Sequence, residues 1–445
     1  MNGRKIRVLL DIDNILLGVV NSRDKTGLYW VSYNIVNGLM KETDLSITFI
    51  SNRFTLDIYQ KLCDLEPAFE NFDCIINPSA GKFYSKVATY LKVRRIEFRR
   101  KKRNSTGLKK IANFALYLFF TVPAKLFEIV GFFLKGKIDC NNFDIYQSFY
   151  YKIPNFVLKN GRIGKCLFVH DVFPLVKNDV GENISKVYRK SFEKMFKNLG
   201  NNVVFLFNSQ CSKKDFFAYF PKYSGNRNLV VSLAANKKQF FRDDTLDTEK
   251  AAQILDKYGI PQNAKYILNV GSLNPRKNLL FLVKCFCRFL ETHSEISDLY
   301  LLLSGPNGWQ TEKIFSQIRN SAGQRSKIIL SGFLDPEDIN MIYNGAFFFV
   351  FPSFYEGFGL PLLEAMQCGV PIISSNTSSM PEVYGDAAIA IDPKDEQGLL
   401  DAFEKMYFDD KLRNTLVARG LERAKLFDWS LTVRRIMDEY RRILK

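Results

Sequence analysis

Residues 347–364 read FFFVFPSFYEGFGLPLLE, and they hold the fold in miniature. Phe347 to Phe351 is a short apolar run of the kind that fills a strand buried on both faces, and Pro352-Ser353 ends it. Pro361 suits a first helical turn, where its missing N–H would be unpaired anyway, so a helix is expected from Gly359 or Leu360 to about Cys368. Glu356 and Glu364 stand eight apart and bracket Gly357-Phe358-Gly359. The unpaired amides of the helix start would form an anion site, and two residues without Cβ would let a phosphate or sugar approach the backbone. A plain strand-to-helix turn with two solvated glutamates is the rival reading, so the surroundings must decide.

The same strand, loop and helix recur on both sides of this stretch. Strand-like runs fall at Lys5 to Leu10, Leu45 to Ile50, Cys166 to Val169, Val203 to Phe207 and Leu229 to Leu233, with helical patterns at Leu28 to Met40 and Ser185 to Leu199. Further on, strands are expected at Tyr266 to Val270, Leu299 to Ser304, Lys327 to Leu330, Val370 to Ser374 and Ala388 to Ile391. Helices are expected between them at Asn278 to Thr292, Glu312 to Asn320, Pro336 to Asn344 and Glu396 to Phe408. Such alternation implies an α/β chain of doubly wound parallel sheets with covered faces, and ligands at the carboxyl ends of the strands. At 445 residues the chain exceeds what one core usually organises. Two domains are therefore expected, 1–235 and 236–428, joined by the polar stretch Ala235 to Asp256. A last helix over 429–445, with Ser430 as N-cap, is expected to follow Asp428-Trp429.

Composition narrows the partners. Two histidines, His170 and His293, leave little from which to build an imidazole zinc site, and the eight cysteines show no finger spacing. Cys285-Phe286-Cys287 lies in an apolar run and reads as packed thiols. Low cysteine content and an N-terminus, MNGRKIRVLL, without a long apolar region make a cytoplasmic protein the default. The net charge of +17 calls for an anionic partner. It is unevenly spread: residues 1–235 carry 37 basic and 19 acidic side chains, net +18, and residues 236–445 carry 26 and 27, net −1.

The second half nevertheless contains a cationic element in a telling place. The strand ending at Val270 runs into Gly271-Ser272-Leu273-Asn274-Pro275-Arg276-Lys277-Asn278, an Arg-Lys pair at a strand's carboxyl end. Elsewhere such a pair is solvated charge; here it suits a diphosphate. Together, Val270 to Asn278, Ser331-Gly332-Phe333, Pro352 to Met366, Gly369-Val370-Pro371, Met380-Pro381-Glu382-Val383 and Ala387-Ala388 resemble the second domain of glycosyltransferase family 4, the retaining enzymes of the GT-B fold. The resemblance is dense over about residues 265 to 393 and includes the family's E-x7-E motif as Glu356 and Glu364. In the first half it is thinner: the Thr26-Gly27 loop, Val169-His170-Asp171 and Asn208-Ser209-Gln210.

The resemblance implies two Rossmann-like domains facing a cleft and transfer of a hexose, possibly mannose, from a nucleotide diphosphate sugar to a lipid-linked or saccharide acceptor in surface polysaccharide or glycolipid assembly. Arg276 and Lys277 would hold the diphosphate, and Glu364 the ribose. Glu356 and the backbone of Phe358 and Gly359 would contact the sugar. Phe333 would begin the segment that receives the base, Gly27 would approach the diphosphate from across the cleft, and His170 would sit near the reacting sugar. Ser272, Leu360 and Leu362 complete the expected substrate-binding set. It also implies that the last helix crosses back onto the first domain.

The chemistry stands beside the resemblance. Breaking a sugar–phosphate bond leaves an oxocarbenium-like sugar and an increasingly negative phosphate, which Arg276, Lys277 and a helix N-terminus can stabilise without a metal or other cofactor. Retention needs either a nucleophile, for which Glu356 is the motif carboxylate, or same-face attack with the leaving phosphate taking the acceptor's proton and Glu356 positioning. Asp11-Ile12-Asp13 is a D-x-D of the metal-binding kind, but no other carboxylate cluster accompanies it, and a metal role is not expected. The rivals in function are a noncatalytic nucleotide-sugar-binding subunit of a membrane-associated assembly and a sugar-nucleotide epimerase.

One segment, 82–134, remains. Lys82 to Lys110 holds twelve basic residues and one Glu, including Arg99 to Arg103, and it leads into the apolar Ile111 to Phe120 and Val130 to Leu134. It reads as a buried core helix beside a solvated loop or as an interfacial attachment to an anionic membrane, since clustered cations are drawn to anionic lipid and a Phe-rich face enters the headgroup boundary. No nucleic-acid motif is present, and Pro123, Lys125 and Glu128 interrupt the run before a spanning length accumulates. A peripheral protein on the cytoplasmic face is the expectation.

Overall fold

The structure, a computed structural model, describes residues 4–21, 27–54, 56–76, 87, 90–91, 94–95, 97–99, 101–102, 105–133, 139–150, 152–176, 186–245, 248–308, 311–320 and 323–445, with side chains left undescribed at 127–133, 248 and 320. Thr26, Arg100, Arg103 and Leu134 lie outside them.

Two parallel sheets organise the chain. The first contains β1 (Ile6–Asp11), β2 (Leu45–Ser51), β3 (Asp73–Ile76), β4 (Ile145–Ser148), β5 (Gly164–Val169), β6 (Val203–Phe207) and β7 (Asn228–Val230), in the order β3-β2-β1-β4-β5-β6-β7. The second contains β8 (Lys265–Val270), β9 (Leu299–Ser304), β10 (Ile328–Gly332), β11 (Phe348–Phe351), β12 (Ile372–Ser375) and β13 (Ala388–Ile391), in the order β10-β9-β8-β11-β12-β13. Their central strands are mostly buried, and most are rich in Val, Ile, Leu and Phe.

Each sheet reverses direction once, between β1 and β4 in the first and between β8 and β11 in the second. Such a reversal opens a crevice at the carboxyl ends of the two central strands. In the second sheet those ends are Val270 and Phe351, so the Arg-Lys segment and the E-x7-E loop emerge side by side although some 80 residues apart. Register fixes this, with Phe348 opposite Ile267 and Phe349 opposite Leu268.

The strands β3 and β4 were not legible as apolar runs. β3 is a half-buried edge, and β4 is Ile145-Tyr146-Gln147-Ser148, polar in composition but wholly buried. Its polar atoms are satisfied across the fold: the Tyr146 hydroxyl donates to Asp11 at 3.0 Å, and Gln147 accepts from Tyr440 at 3.3 Å. Within the stretch 235–256, Phe240 packs edge-on against Tyr343 at 5.6 Å, and a helix spans Thr248–Lys257.

The last helix is Trp429–Ile443, and its N-cap is Asp428 rather than Ser430. The Asp428 carboxylate accepts the Ser430 amide at 2.8 Å, so capping begins two residues earlier than expected. The helix packs on Gly27–Leu39: Gly38 leaves room for Val433, and Gly164 leaves room for Ile443. Part of its positive charge is paired, Arg441 with Asp44 at 2.9 Å and Arg442 with Glu439 at 3.6 Å. Cys285 and Cys287 are free thiols buried in the second half's core.

Helix Gly107–Phe133 departs from the buried-core alternative. Among its described side chains only Ala124 is buried, while Leu108, Ile111, Phe119, Val122 and Leu126 are exposed, Ile111 at 66% and Phe119 at 69%. No helix among the described residues is long and apolar enough to cross a membrane.

Candidate active site

After β8 the chain turns through Gly271, and Asn274 folds back to cap a short turn, accepting from the Arg276 amide at 3.1 Å and donating to Ser272 Oγ at 2.8 Å. Asn278 then takes the left-handed conformation, φ 58°, and starts helix Leu279–Thr292. This tight turn aims Arg276 and Lys277 at the neighbouring loop. Lys277 is buried, with Nζ 4.4 Å above the Phe351 ring, and Gly271 admits its methylenes because a Cβ there would lie 3.0 Å from Cε. Arg276 is partly exposed and stacks on Phe173 of the first half at 5.3 Å.

Glu356 sits between them. Its Oε2 accepts from Arg276 Nη1 at 3.0 Å and its Oε1 from Lys277 Nζ at 2.8 Å. Burial would push this carboxyl up, but the two cations outweigh it and hold it below the usual range, so Glu356 is ionised. Burial pulls Lys277 down, against the opposing pull of Glu356. The Glu356 carbonyl accepts from Ser378 at 2.6 Å and Ser379 at 2.8 Å, which fixes the loop.

Gly359, at φ +112°, turns the chain into helix Leu360–Gln367. No side chain caps this helix and its first turn holds no acid; Pro361 brings no N–H and the Leu362 amide donates to the Gly359 carbonyl at 3.0 Å. Phe358 and Leu362 are buried beneath the loop, and Leu360 faces the first half, where a Cβ on Gly27 would lie 3.9 Å from its Cδ1. Glu364 accepts from the Tyr343 hydroxyl at 2.8 Å, and burial pushes its carboxyl up to about 7. Phe333, beyond β10, is exposed, and Gly332 before it accepts from the Gly305 amide at 2.7 Å.

The first half meets this loop through β5 and β6. His170 is buried, its Nε2 is 2.6 Å from the Phe149 carbonyl, and burial pushes its pKa down to about 4. A carbonyl only accepts, so Nε2 carries the proton and the ring is neutral. The His170 carbonyl would lie 2.6 Å from a Cβ at Gly357, so this glycine is required by close approach of the two halves. Composition and spacing gave no hint of several further contacts: Ser209 to the Gly357 carbonyl at 2.8 Å, Tyr355 to Asp215 at 2.8 Å, and Glu382 to the amides of Gln210 and Cys211, both at 2.8 Å. Tyr343 and Asp215 were missed too, whereas Ser209, Gln210 and Glu382 lie in segments that carried the resemblance, though with no role assigned to them.

Asp11 and Asp13 are turned inward. Asp11 accepts from the Asp13 amide at 3.0 Å, and Asp13 accepts from Ser51 at 2.5 Å. Burial and then the charge of Asp13 raise Asp11 to about 8. Among the described residues no three His, Cys, Asp or Glu are grouped as metal ligands.

A family model described as glycosyl transferases group 1 matches residues 251–423, the span that holds both site segments. O-antigen chain mannosyltransferase B of Escherichia coli is 30% identical over 297 residues, 66% of this chain and 75% of that protein. The chain belongs to the group 1 glycosyltransferases. A longer relative of this glycosyltransferase, the serotype-specific mannosyltransferase WbdA of Escherichia coli, is 30% identical over 239 residues, 53% of the chain but only 28% of that protein. The sucrose-phosphate synthase of Thermosynechococcus elongatus superposes over 99% of both chains with a TM-score of 0.63 at 17% identity, and it shares the two-sheet GT-B fold. Glycosyl transfer is therefore this chain's activity.

Proposed function

We propose that this glycosyltransferase moves a hexose, mannose being favoured by the designation of its Escherichia coli relative, from a nucleotide diphosphate sugar to a saccharide or lipid-linked acceptor of surface polysaccharide or glycolipid, with retention and without a metal. The observation that carries the reading is the fork at the crevice: Arg276 and Lys277 on either oxygen of Glu356, beside an uncapped helix N-terminus. Positive charge there favours the diphosphate, and it favours the leaving phosphate more as the C1–O bond breaks.

Glu356 suits positioning better than attack. Both of its oxygens already accept from cations, which lowers their nucleophilicity, while the loop's glycines bring backbone amides to the sugar. The acceptor oxygen then bonds C1 from the face that the phosphate leaves, and its proton passes to the departing phosphate oxygen. Neutral His170 lies across from this loop and Glu364 would take the ribose.

The basic and apolar segment 82–134 supports a second element of the reading, attachment to an anionic membrane surface on the cytoplasmic face. The exposed large apolar residues of its helix are Leu108, Ile111, Phe114, Leu116, Leu118, Phe119, Val122 and Leu126, of which Leu108, Ile111, Phe119, Val122 and Leu126 recur at intervals of three, four or eight, the spacing of one helical face, beside Lys101, Lys102, Lys109 and Lys110. We propose domain limits of 1–235 and 236–428, with the helix over 429–445 returning to the first.

The test is turnover of UDP- and GDP-linked hexoses with the product followed by NMR. Retained anomeric configuration, activity undiminished by chelator and its abolition in Arg276→Ala with Lys277→Ala are expected. Inverted product or chelator-abolished turnover overturns the mechanism; nucleotide-sugar binding with neither transfer nor slow hydrolysis points to the noncatalytic subunit.

A further inference from the structure

The donor loop is not held by its own half alone. Helix Gln210–Tyr219 follows β6 of the first sheet, and Ser209, Ser212 and Asp215 stand at successive three-residue steps along one of its faces. Ser209 Oγ donates to the Gly357 carbonyl at 2.8 Å, and the Ser212 hydroxyl lies between that oxygen, at 3.1 Å, and the His170 carbonyl, at 2.9 Å, bridging the two halves. One turn on, Asp215 accepts from the Tyr355 hydroxyl at 2.8 Å. Tyr355 and Gly357 are the residues immediately before and after Glu356, so the face grips the loop on both sides of the carboxylate. From the opposite direction, the Glu382 carboxylate of the second half accepts the Gln210 and Cys211 amides at the positive end of the same helix. Arg423 steadies the Glu382 carbonyl at 2.7 Å.

We propose that Ser209, Ser212 and Asp215 are positioning residues of the transfer reaction, which set Glu356 between Arg276 and Lys277 by clasping Tyr355 and Gly357 across the two halves. The inference rests on the reading that Glu356 serves the donor sugar. Three features favour it over a plain interface. The bonds converge on the two neighbours of one residue. The approach is too close for any side chain at Gly357. Tyr355 is buried, with its ring 5.6 Å from Phe173 of the first half, so its hydroxyl makes the Asp215 bond where water competes little. In this arrangement the donor half holds the nucleotide, and the acceptor half completes the geometry at the sugar.

The clasp meets the diphosphate segment only through the Tyr355 backbone carbonyl, which accepts from Arg276 at 3.0 Å and which side-chain substitution at Tyr355 or Asp215 leaves in place, and it does not touch Glu364, so its loss should change turnover more than binding. The experiment takes the full chain with whichever of UDP-glucose and GDP-mannose supports turnover, and with UDP and GDP in calorimetry. Asp215→Ala and Tyr355→Phe are each expected to lower kcat by about 10- to 100-fold, the scale of an ångström-sized misplacement, with KM for donor and nucleotide Kd within about threefold. The double variant should be no worse than either single, because both break one bond. Asp215→Asn, which keeps an acceptor oxygen, should recover at least about a third of the wild-type kcat. Unchanged kcat in Asp215→Ala and Tyr355→Phe, where Glu356→Gln abolishes turnover, overturns the clasp alone. Losses that multiply in the double variant, or that track a falling melting temperature, overturn it as well. Full turnover in Glu356→Gln overturns the reading of Glu356 and the clasp with it.

Discussion

Glu356 and Glu364 share one loop and helix but titrate in opposite directions. Glu356 is buried against two cations and stays ionised; Glu364 is buried against a tyrosine hydroxyl, with the Lys277 charge a lesser influence, and rises to about 7. A carboxyl raised this far titrates through the neutral range. If the ribose hydroxyls donate to its carboxylate, nucleotide binding requires the ionised form, whose share climbs between pH 6 and pH 8. Nucleoside diphosphate affinity in calorimetry should therefore strengthen about tenfold over that range, with proton release, and Glu364→Gln should bind more weakly with a flatter profile. The sign for stability is opposite: a carboxyl raised on folding detracts from stability as pH climbs from its ordinary 4.5 towards 7, so Glu364→Gln should melt no lower than the parent at pH 8. At this scale the sequence was generous. Arg276, Lys277, Glu356, Glu364 and the two glycines were legible because each is fixed by a local turn. Tyr343, whose hydroxyl donates to Glu364, lies 21 residues away on another helix and left no local mark.

Among elements, helix Gly107–Phe133 is the one whose composition and surroundings disagree. Its apolar pattern would suit a core, yet the described residues 107–126 stand largely in solvent. A single exposed apolar residue is ordinary; a continuous stripe beside a basic run is what an interfacial helix presents. Replacing Ile111 and Phe119 with Glu should leave the melting temperature within about 2 °C, since surface substitutions seldom exceed about 0.5 kcal/mol. The same variant should lose flotation with phosphatidylserine vesicles, each neutralised lysine of 101–110 costing about 1 kcal/mol of attachment besides. Retained flotation in the Glu variant, or no flotation of the parent, overturns attachment through this helix.

Over the whole molecule, the terminal helix joins regions that the sequence keeps far apart. Tyr440 is fully buried and its hydroxyl meets Gln147, 293 positions away; Thr432 reaches the Ser232 carbonyl. Tyr440→Ala should cost about 3–5 kcal/mol, the usual price of deleting a buried aromatic, and Tyr440→Phe about 1 kcal/mol, both read from urea midpoints. A small effect of Tyr440→Ala would show that the helix docks without supporting the first sheet.

What the sequence by itself determined is whatever depends on a few consecutive residues: strand runs, the proline and glycine that end and restart them, the Arg-Lys turn, and the eight-residue spacing of two glutamates. From these the parallel α/β architecture and the donor loops follow, because backbone preference and burial of alternating elements act locally. Only the tertiary structure decided that Arg276 and Lys277 would share Glu356, since the order β9-β8-β11 brings their strands together. It also decided that Ser209, Ser212 and Asp215 would bracket that carboxylate from the other half, up to 148 positions from the residues they hold. Hydrogen bonds of this kind have no sequence period. They exist because two separately folded sheets present their carboxyl edges to one crevice, where polar groups must find partners across it.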